Sequence, residues 1–540
     1  MLDIFRLCKK YLALEYKRVV ITSLLSFVVS LLIIIQPYIM GSFIDDVLIK
    51  KDAKELSVFC AIFLLSSLLI IIFSYIANIV SIKVTTNAGY YLNRELICHM
   101  QDAESCKVDS YDSAYLTQRV NNDSNQIVIY CLETIKEIPT NIVTIVACAI
   151  YIFTINYIFF LIGIGSAIIY IIAYVTMKRK LYILGYNFKE FQSIFFSKLN
   201  EQFRMNSLIK AKSIADVALT RLDSAFNNLF SKILPFQRIS YLFGSLDNLI
   251  SVLIETCIFV VGGLLVFYNT ISIGEFTILN TYTIMLQTSV KYFFELGKNT
   301  QETKISAERV RDINKIQKEK DGFLILDNIN SIEIKNLSLC YDKKIICKKI
   351  TKSFRSKGIY GIIGENGAGK TTFIKTIIGI HHRYTGNIFI NGINIKNINM
   401  FKARGELVAF CEQDTLLFQD TAMFNVTFGK FFNDNVITHF ARMFGIEGIL
   451  DDDEPLAENG SNLSGGEQKK LSLARELIIK SDLLILDEPT LNLDKTSKME
   501  LMEHLKKLSR EKIIMLVTHD QDIMKYMDDI VNLGGANVKE

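Results

Sequence analysis

The sequence predicts a multi-domain protein in which an all-α domain of six membrane-spanning helices is followed by an α/β domain with a largely parallel sheet. Three observations predict this order. The 540 residues are 50% hydrophobic with a mean hydropathy of +0.28, which is more apolar than an ordinary soluble protein. The long uncharged stretches lie in the first 300 residues. After residue 328, β-branched runs alternate with helical stretches.

Long stretches without charge define the first four spans. Residues 19–44 and 56–82 are uncharged, and each is longer than the roughly 20 residues that cross a bilayer. Residues 138–177 are uncharged over about twice that length, and the polar pair beginning at Asn156 predicts a turn near the middle. We therefore place these spans at 19–44, 56–82, 138–156 and 157–177.

The last two spans are predicted at 248–272 and 273–296. Glu255 is the one charged residue within the first of them, and the second has the shortest apolar stretch. The polar segments 83–137 and 178–247 are expected to be cytoplasmic, because the second is rich in lysine and arginine. With six spans, the N-terminus, both segments and the C-terminal domain lie inside, whereas five would place that domain outside.

Charge and cysteine content exclude some classes of protein. A net charge of +4 is small for this length, so we expect no nucleic-acid partner. The ten cysteines show no CxxC pair or zinc-like spacing, which indicates reduced thiols and neither a disulfide framework nor a zinc site. The basic residues up to Arg18 lie among apolar ones and predict an interfacial helix, with a signal anchor as the alternative.

The composition changes after the last predicted span. Residues 298–320 are rich in Lys, Glu, Gln and Asn, which is typical of a helical extension and linker into a soluble domain. The predicted division is therefore a transmembrane domain at 1–300, a linker at 301–327 and an α/β domain at 328–540.

A phosphate-binding loop is predicted at Gly364-Glu-Asn-Gly-Ala-Gly-Lys-Thr371. It follows the apolar run 359–363 and precedes a helical stretch, the order that such a loop requires. Its glycines let backbone N–H groups turn towards phosphates, while the lysine reaches the β- and γ-phosphates and the threonine ligates Mg²⁺. A chance glycine-rich turn is the alternative. The candidate ATP-binding residues here are Gly364, Glu365, Asn366, Gly367, Ala368, Gly369, Lys370, Thr371 and Thr372.

Two carboxylates end the apolar run that begins at Leu483. Asp487 is placed to hold Mg²⁺, and Glu488 to polarise an attacking water. A strand that merely ends in acidic loop residues is the alternative, and the phosphate loop argues against it.

The segment Leu463-Ser-Gly-Gly-Glu-Gln468 looks like the signature motif of ATP-binding cassette (ABC) proteins, and the last 200 or so residues resemble that cassette. The resemblance implies that Tyr341 stacks on adenine, that Gln413 belongs to the Q-loop and that His519 is the switch histidine. It implies catalytic roles for Glu488, His519 and Gln413, and Mg²⁺ ligation by Thr371, Gln413 and Asp487. It also places Ser464, Gly465, Gly466 and the D-loop residue Asp494 at the nucleotide.

Six spans followed by one cassette resemble the half-transporters of the type IV exporter fold. Residues 458–462 look like the X-loop of exporters, which favours export over import. Coupling helices are expected at 109–115 and 206–212. Leu491 and Asn492 depart from the small residues usual in the D-loop of exporters.

The chain carries one copy of each motif, and in this family ATP lies between the phosphate loop of one cassette and the signature of another. A dimer of half-transporters is therefore expected. A homodimer has two competent sites, and a heterodimer remains the alternative.

The expected function is ATP-driven export of a peptide or other amphipathic small molecule across the plasma (inner) membrane of a bacterium, with the cassette and N-terminus in the cytoplasm. Lipid flipping, uptake of a metal-chelating compound, or a regulatory or channel-like nucleotide sensor are the alternatives. Glu255 is expected to face the cavity or a partner helix rather than the lipid bilayer, because a charge inside a span is costly.

Overall fold

The computed structural model describes residues 1–49, 53–108, 111–341, 344–355 and 357–533. The chain divides into two compact units. The first, the helical unit, comprises Met1–Ala103 and Lys107–Lys318. The second, the cassette unit, comprises Glu104–Cys106 and Glu319–Glu540.

The helical unit contains long helices and two short ones. They are α1 Leu2–Leu14, α2 Tyr16–Ser42, α3 Ala53–Gln101, α5 Ser113–Gln118, α6 Ser124–Ile155, α7 Tyr157–Arg204, α8 Asn206–Lys212, α9 Ala215–Phe267 and α10 Ile273–Asn314. The short helix α4 Ser105–Val108 is divided between the two units after Cys106. Phe43–Ile49 and Arg119–Asp123 are π-helical. Within the described residues, five helical segments are long and apolar enough to cross a membrane: Tyr16–Asp46, Leu56–Gln101, Ser113–Ile155, Tyr157–Arg204 and Ala215–Phe267.

The turns between the predicted spans have local causes. Asn156 interrupts the apolar run between α6 and α7, where it has an extended backbone and its side chain accepts a hydrogen bond from the Ile158 amide at 2.9 Å. Ser272 begins α10 with a capping box, in which its hydroxyl and the Glu275 carboxylate each accept a bond from the other's backbone amide.

The helix predicted as the sixth span, α10, is long but less apolar than the other five. It continues without a break to Asn314, so the first part of the segment predicted as a linker belongs to this helix. Its membrane crossing, and with it the count of six spans, stays a prediction.

A buried ion cluster joins three helices of the helical unit. The carboxylate of Asp123, at the start of α6, lies 3.0 Å from the Arg309 guanidinium of α10 and 3.6 Å from the Lys189 ammonium of α7. Asp123 and Arg309 are only 5% and 2% exposed. Charges buried to this degree require partners, so the cluster fixes how these helices pack.

The cassette unit contains two sheets. Its elements are β1 Ile332–Tyr341, β2 Lys344–Phe354, β3 Gly358–Ile363, α11 Lys370–Ile377, β4 Tyr384–Ile390, β5 Ile393–Asn394, α12 Met400–Glu406, β6 Val408–Cys411, α13 Ala422–Thr427, α14 Asp434–Phe444, α15 Glu447–Leu450, α16 Gly465–Ile478, β7 Leu483–Asp487, α17 Lys495–Leu508, β8 Ile513–Val517, α18 Gln521–Met524 and β9 Asp529–Asn532. An antiparallel sheet has the order β2-β1-β4-β5, and a parallel sheet the order β6-β7-β8-β3-β9.

The parallel sheet is the main support of this unit. Every residue of β7 and β8 is buried, as expected for central strands covered on both faces, and this explains their uninterrupted apolar sequences. All four strand pairings of this sheet are parallel, so the carboxyl ends of β3, β7 and β8 meet at one edge. The helical domain followed by an α/β domain confirms the predicted fold class.

Candidate functional site

The candidate site lies where the parallel strands end. Asp487, the last residue of β7, pairs in register with Val517 at the end of β8, and Val517 pairs in turn with Ile362 near the end of β3. The three segments that follow these strands therefore start side by side. This edge is where open α/β sheets bind their ligands.

The predicted phosphate loop connects β3 to α11. Gly367 and Gly369 have φ angles of 85° and 86°, a left-handed conformation that favours glycine at these two positions. Lys370 opens α11, and its Nζ donates hydrogen bonds to the Gly364 and Glu365 carbonyls at 2.9 and 3.3 Å. The loop thus curves around its own lysine ammonium, beside the positive end of a helix.

Two oxygen ligands suitable for Mg²⁺ converge next to this loop. The Thr371 hydroxyl donates to a carboxylate oxygen of Asp487 at 2.8 Å. Asp487 is 1% exposed, and burial raises its pKa although the Thr371 hydrogen bond acts in the opposite direction. A hydroxyl and a buried carboxylate fit a hard cation that prefers oxygen, and the cation would favour the ionised carboxylate.

Glu488 and His519 meet beside Lys370. The His519 Nε2 is 3.6 Å from a Glu488 carboxylate oxygen and 2.8 Å from the Lys370 Nζ. Glu488 has a φ of 46°, which is unusual for a residue with a side chain, and its amide donates to the Val517 carbonyl at 3.0 Å. The structure therefore brings together residues from three segments predicted separately.

Gln413 follows β6, the strand that pairs with β7. Its side chain is exposed after the end of β6, and it makes no hydrogen bond to Thr371 or Asp487 in the described part of the chain. Its backbone carbonyl instead accepts a bond from the Lys469 Nζ at 3.3 Å. The predicted metal-ligand role of Gln413 stays a prediction.

The signature segment begins α16. Ser464 caps the helix in a capping box with Glu467, and the bonds from Ser464 hold the pKa of Glu467 below its usual range. Gly466 is close to the segment that precedes α17: a Cβ atom there would lie 2.9 Å from the Asn492 carbonyl. Neither Ser464 nor Gly465 nor Gly466 forms a hydrogen bond with residues 364–371 among the described residues.

Asp494 acts as the N-cap of α17. Its carboxylate accepts bonds from the Ser497 amide and hydroxyl at 3.0 and 2.7 Å and pairs with Lys470 at 3.2 Å. These interactions, with Ser497 first, hold the pKa of Asp494 below its usual range. Tyr341, predicted to stack on adenine, is the last residue of β1, and its side chain is not part of what the structure describes.

One buried residue beside the site was not predicted from the sequence. Lys469 of α16 is 3% exposed, and its Nζ donates to the carbonyls of Glu412, Gln413 and Asp487. Helical periodicity is the signal that could have found it, because Lys469, Ser472 and Glu476 share the buried face of this helix.

The predicted membrane and coupling residues fall on helices. Glu255 is exposed within α9. Residues 206–212 form α8. Of the other predicted coupling helix, 109–115, residues 109–110 lie outside the described residues, and α5 begins at Ser113, so it contains the last three residues of that segment.

Two family models match the chain. The model of the ABC transporter transmembrane region matches residues 19–290, and the ABC transporter model matches residues 347–491. The chain belongs to the ABC transporters. The first match spans half of the chain, and the second contains the phosphate loop, the signature segment and the two carboxylates that end β7.

Similar proteins agree with this membership. The microcin-J25 export ATP-binding/permease protein of Escherichia coli is 24% identical over 448 residues, 79% of this chain and 75% of that protein. A putative export ATP-binding/permease protein of Rickettsia conorii is 25% identical over 99% of this chain and 95% of its own. The ATP-dependent lipid A-core flippase of Syntrophus aciditrophicus is 29% identical, over 52% of this chain and 48% of its own.

The whole fold matches a solved exporter. A bacterial Atm1-family ABC exporter with ATP bound has a TM-score of 0.85 at 18% identity, covering 96% of this chain and 94% of that one. This confirms the exporter half-transporter fold. The protein is a multi-pass membrane exporter that couples ATP hydrolysis to transport, and its half-transporter fold implies dimerisation with another half-transporter.

Proposed function

We propose that the ABC transporter exports a peptide or another amphipathic small molecule as a homodimer in the plasma (inner) membrane of a bacterium. The observation that carries the ATP-driven part of this proposal is the meeting of Lys370, the Thr371–Asp487 pair and the Glu488–His519 pair at one edge of a parallel sheet.

Each of these side chains has a chemical task that suits its position. Lys370 and the amides at the start of α11 are suited to the phosphates of ATP. Thr371 and Asp487 would hold Mg²⁺, which when bound neutralises phosphate charge. Glu488 polarises the attacking water, and His519 contacts the γ-phosphate.

Assembly as a homodimer is supported by the sequence of this chain, which contains every residue type that one ATP site requires. Lys370, Asp487, Glu488 and His519 are all present, as is Ser464 of the signature segment. Two identical chains would therefore supply two equivalent sites, each made from the phosphate loop of one and the signature of the other. A heterodimer with a sister half-transporter remains the alternative.

The orientation in the membrane is supported by charge and by the supply of ATP. The polar segment 178–247 is rich in lysine and arginine, as cytoplasmic segments are. The cassette needs cytoplasmic ATP, and six spans place the N-terminus on the same side.

The proposed cargo is supported by the surface of α10 as well as by the relatives. On the side of this helix not buried within its own chain lie Thr281, Ile284, Thr288 and Glu295, which follow the helical repeat. Lys291 continues this repeat, but its ammonium is paired with the Asp247 carboxylate of α9 at 2.7 Å. Polar groups inside a span are disfavoured against lipid, so this mixed stripe suits a water-filled path. A path of mixed polarity suits an amphipathic cargo better than a purely apolar one.

Two relatives favour different cargo classes. The name of the Escherichia coli relative gives it a peptide, microcin J25, and that of the Syntrophus relative gives it the lipid A core. The first match covers more of this chain, which favours a peptide. Lipid flipping is the second candidate, and uptake of a metal-chelating compound is the third.

Inverted membrane vesicles would separate the cargo classes. We expect ATP-dependent accumulation of a fluorescent amphipathic peptide in vesicles that carry the wild-type protein, and none with Glu488→Gln. Movement of a fluorescent lipid without peptide accumulation would establish the flippase alternative. Release of a preloaded iron chelate would indicate uptake in the cell.

The same variant tests the proposed catalytic roles. Glu488→Gln keeps the shape of the side chain but removes the group that polarises water, so ATPase activity should fall by at least ~10²-fold while ATP binding survives. The measurement is ATP turnover and ATP affinity of the dimer in lipid nanodiscs. Near-normal hydrolysis by Glu488→Gln would refute the role of this carboxylate.

A further inference from the structure

The ammonium group of Lys469 contacts the site at two places that are far apart in sequence. It donates to the Glu412 and Gln413 carbonyls at 2.9 and 3.3 Å and to the Asp487 carbonyl at 3.3 Å. An ammonium has three N–H groups, so these three bonds use all of them. A lysine at 3% exposure is rarely found without such compensation.

The bond to Asp487 acts on the peptide group that precedes Glu488. The oxygen of that peptide accepts from Lys469, and its N–H, which belongs to Glu488, donates to the Val517 carbonyl at 3.0 Å. The peptide plane is therefore fixed on both edges. Glu488 follows it with a φ of 46°, a conformation that residues with side chains adopt in only a few per cent of cases.

Such a conformation persists only where the surroundings determine it. The direction in which the Glu488 side chain leaves β7 depends on that peptide plane, and the 3.6 Å approach to His519 depends on that direction. Lys469 touches neither reacting side chain, and it acts on them through the backbone.

The other two bonds connect the same ammonium to the Gln413 loop. The Lys469 ammonium bonds both the backbone of this loop and the peptide before Glu488. A displacement of the Gln413 backbone would therefore move the ammonium and alter its bond to the Asp487 carbonyl. The Gln413 side chain is exposed, and among the described residues no hydrogen bond joins it to the Thr371–Asp487 pair.

We propose that Lys469 is a positioning residue for hydrolysis, which links the Gln413 loop to the orientation of Glu488. This inference rests on the proposed role of Glu488. The signature helix α16, which Ser464 caps at its start, would then also act on the hydrolytic residues of its own chain through Lys469.

The first test separates turnover from ATP binding in the full dimer in lipid nanodiscs. Lys469→Met keeps the apolar stem and removes all three donors, so we expect kcat to fall ~10–100-fold, the range typical of a lost supporting residue. ATP affinity should change less than about two-fold, because Lys370 is untouched. An unchanged kcat would overturn the proposal.

A half-buried lysine at the other end of the sheet provides the control. Lys512 precedes β8, and its Nζ lies 3.4 Å from the Ser481 hydroxyl. Lys512→Met removes a comparable charge far from the carboxyl ends of the strands. An equal loss of kcat in Lys512→Met would show that the effect of Lys469→Met is a general loss of stability, and would overturn the proposal.

A milder variant keeps the test valid if Lys469→Met does not fold. Lys469→Gln retains two N–H donors on a shorter side chain, so at least one of the three bonds is lost. We expect partial rescue, with a ~3–10-fold fall in kcat relative to wild type. A folded Lys469→Gln dimer that binds ATP and turns over at the wild-type rate would overturn the role.

A double variant tests whether Lys469 acts through Glu488. If it does, Lys469→Met combined with Glu488→Gln should hydrolyse ATP no more slowly than Glu488→Gln alone, because residues that act as a unit are not additive. Multiplication of the two losses would overturn the link. If the proposed role of Glu488 is wrong, the single variant Glu488→Gln will hydrolyse ATP at a near-normal rate. That result is separate from the rates of the Lys469 variants, so the two failures can be told apart.

Discussion

The carboxyl edge of the parallel sheet and the uncovered sides of α9 and α10 both carry polar side chains, but they hold them in different ways. At the sheet edge, Lys370 is bonded to its own loop and Thr371 to Asp487 at the end of another strand. On α10, the hydroxyls of Thr281 and Thr288 bond, within the described part of the chain, only to carbonyls one turn back in the same helix.

This difference follows from what each region has to recognise. Phosphoryl transfer requires fixed donors and ligands at defined distances, so the residues at the sheet edge are held by several segments at once. A cargo path needs many weak contacts, and no fixed spacing in the sequence encodes them. Mutations should therefore have large and specific effects in the first region and smaller ones in the second.

The largest expected effect is that of Lys370→Ala. Its ammonium lies inside the phosphate loop, and loss of one preorganised cation there should weaken ATP binding by ~10³-fold. The measurement is ATP affinity by fluorescent-nucleotide titration, with cassette separation followed by paired spin labels under Mg-ATP. The cassettes of Lys370→Ala should stay apart, whereas those of Glu488→Gln, which still binds ATP, should close. A closed Lys370→Ala dimer would contradict the assigned role.

The sheet edge could be predicted well because its chemistry requires particular residues at particular spacings. The glycines of the loop, Lys370 and the carboxylates that end β7 all follow from strand, loop and helix order. Helical periodicity could have placed Lys469 on the buried face of α16, but its contacts could not be predicted, because the three carbonyls that it bonds belong to segments brought together only by the sheet. The left-handed backbone of Glu488 depends on the same contacts.

The helical unit could be predicted in its turns but not in its interior. The turn at Asn156 follows from a polar pair within a long apolar run. The cluster around Asp123 involves residues on three helices that are separated by long stretches of sequence, so no local sequence pattern predicts it.

The second prediction concerns that cluster. Asp123→Ala leaves the Arg309 guanidinium buried without its carboxylate, so the free energy of unfolding should fall by about 3 kcal/mol. The measurement is unfolding in detergent followed by circular dichroism, together with ATP affinity, which should not change. Glu201→Ala removes the exposed partner of Lys198 and serves as the control, with an expected loss under about 1 kcal/mol. Equal losses in the two variants would contradict the structural importance of the cluster.

The third prediction uses two neighbouring glycines of α9. A Cβ atom at Gly262 would overlap the Phe276 ring and lie 3.3 Å from Phe159, whereas one at Gly263 would meet nothing within 4 Å. Gly262→Ala should therefore cost about 1–2 kcal/mol through overpacking. Gly263→Ala should stabilise slightly, because alanine favours the helix. Equal unfolding midpoints for the two variants would show that α9 and α10 do not pack this closely.

The smallest expected effect on stability is that of Glu255→Gln. This variant tests the proposed cargo path, which no sequence motif marks. Glu255 is exposed within α9, in a span where a charge facing lipid costs roughly 2.5–3.5 kcal/mol on insertion scales. We therefore expect this side chain to face the cavity or a partner helix. The amide is uncharged, so the free energy of unfolding should change by less than about 1 kcal/mol while peptide transport falls.

Transport in inverted vesicles, ATPase activity and unfolding of Glu255→Gln should be measured side by side with Thr256→Ala. Thr256 is the next exposed residue, and among the described residues its hydroxyl bonds only to the Val252 carbonyl of its own helix. Its loss should therefore leave all three quantities near wild type. Lower transport with ATPase activity retained would place Glu255 on the cargo path, and lower stability would place it against a partner helix. If Glu255→Gln changes neither transport nor stability, the carboxylate has no intramembrane role. A polar side chain on α9 would then not indicate whether that side of the helix faces a cargo path or lipid.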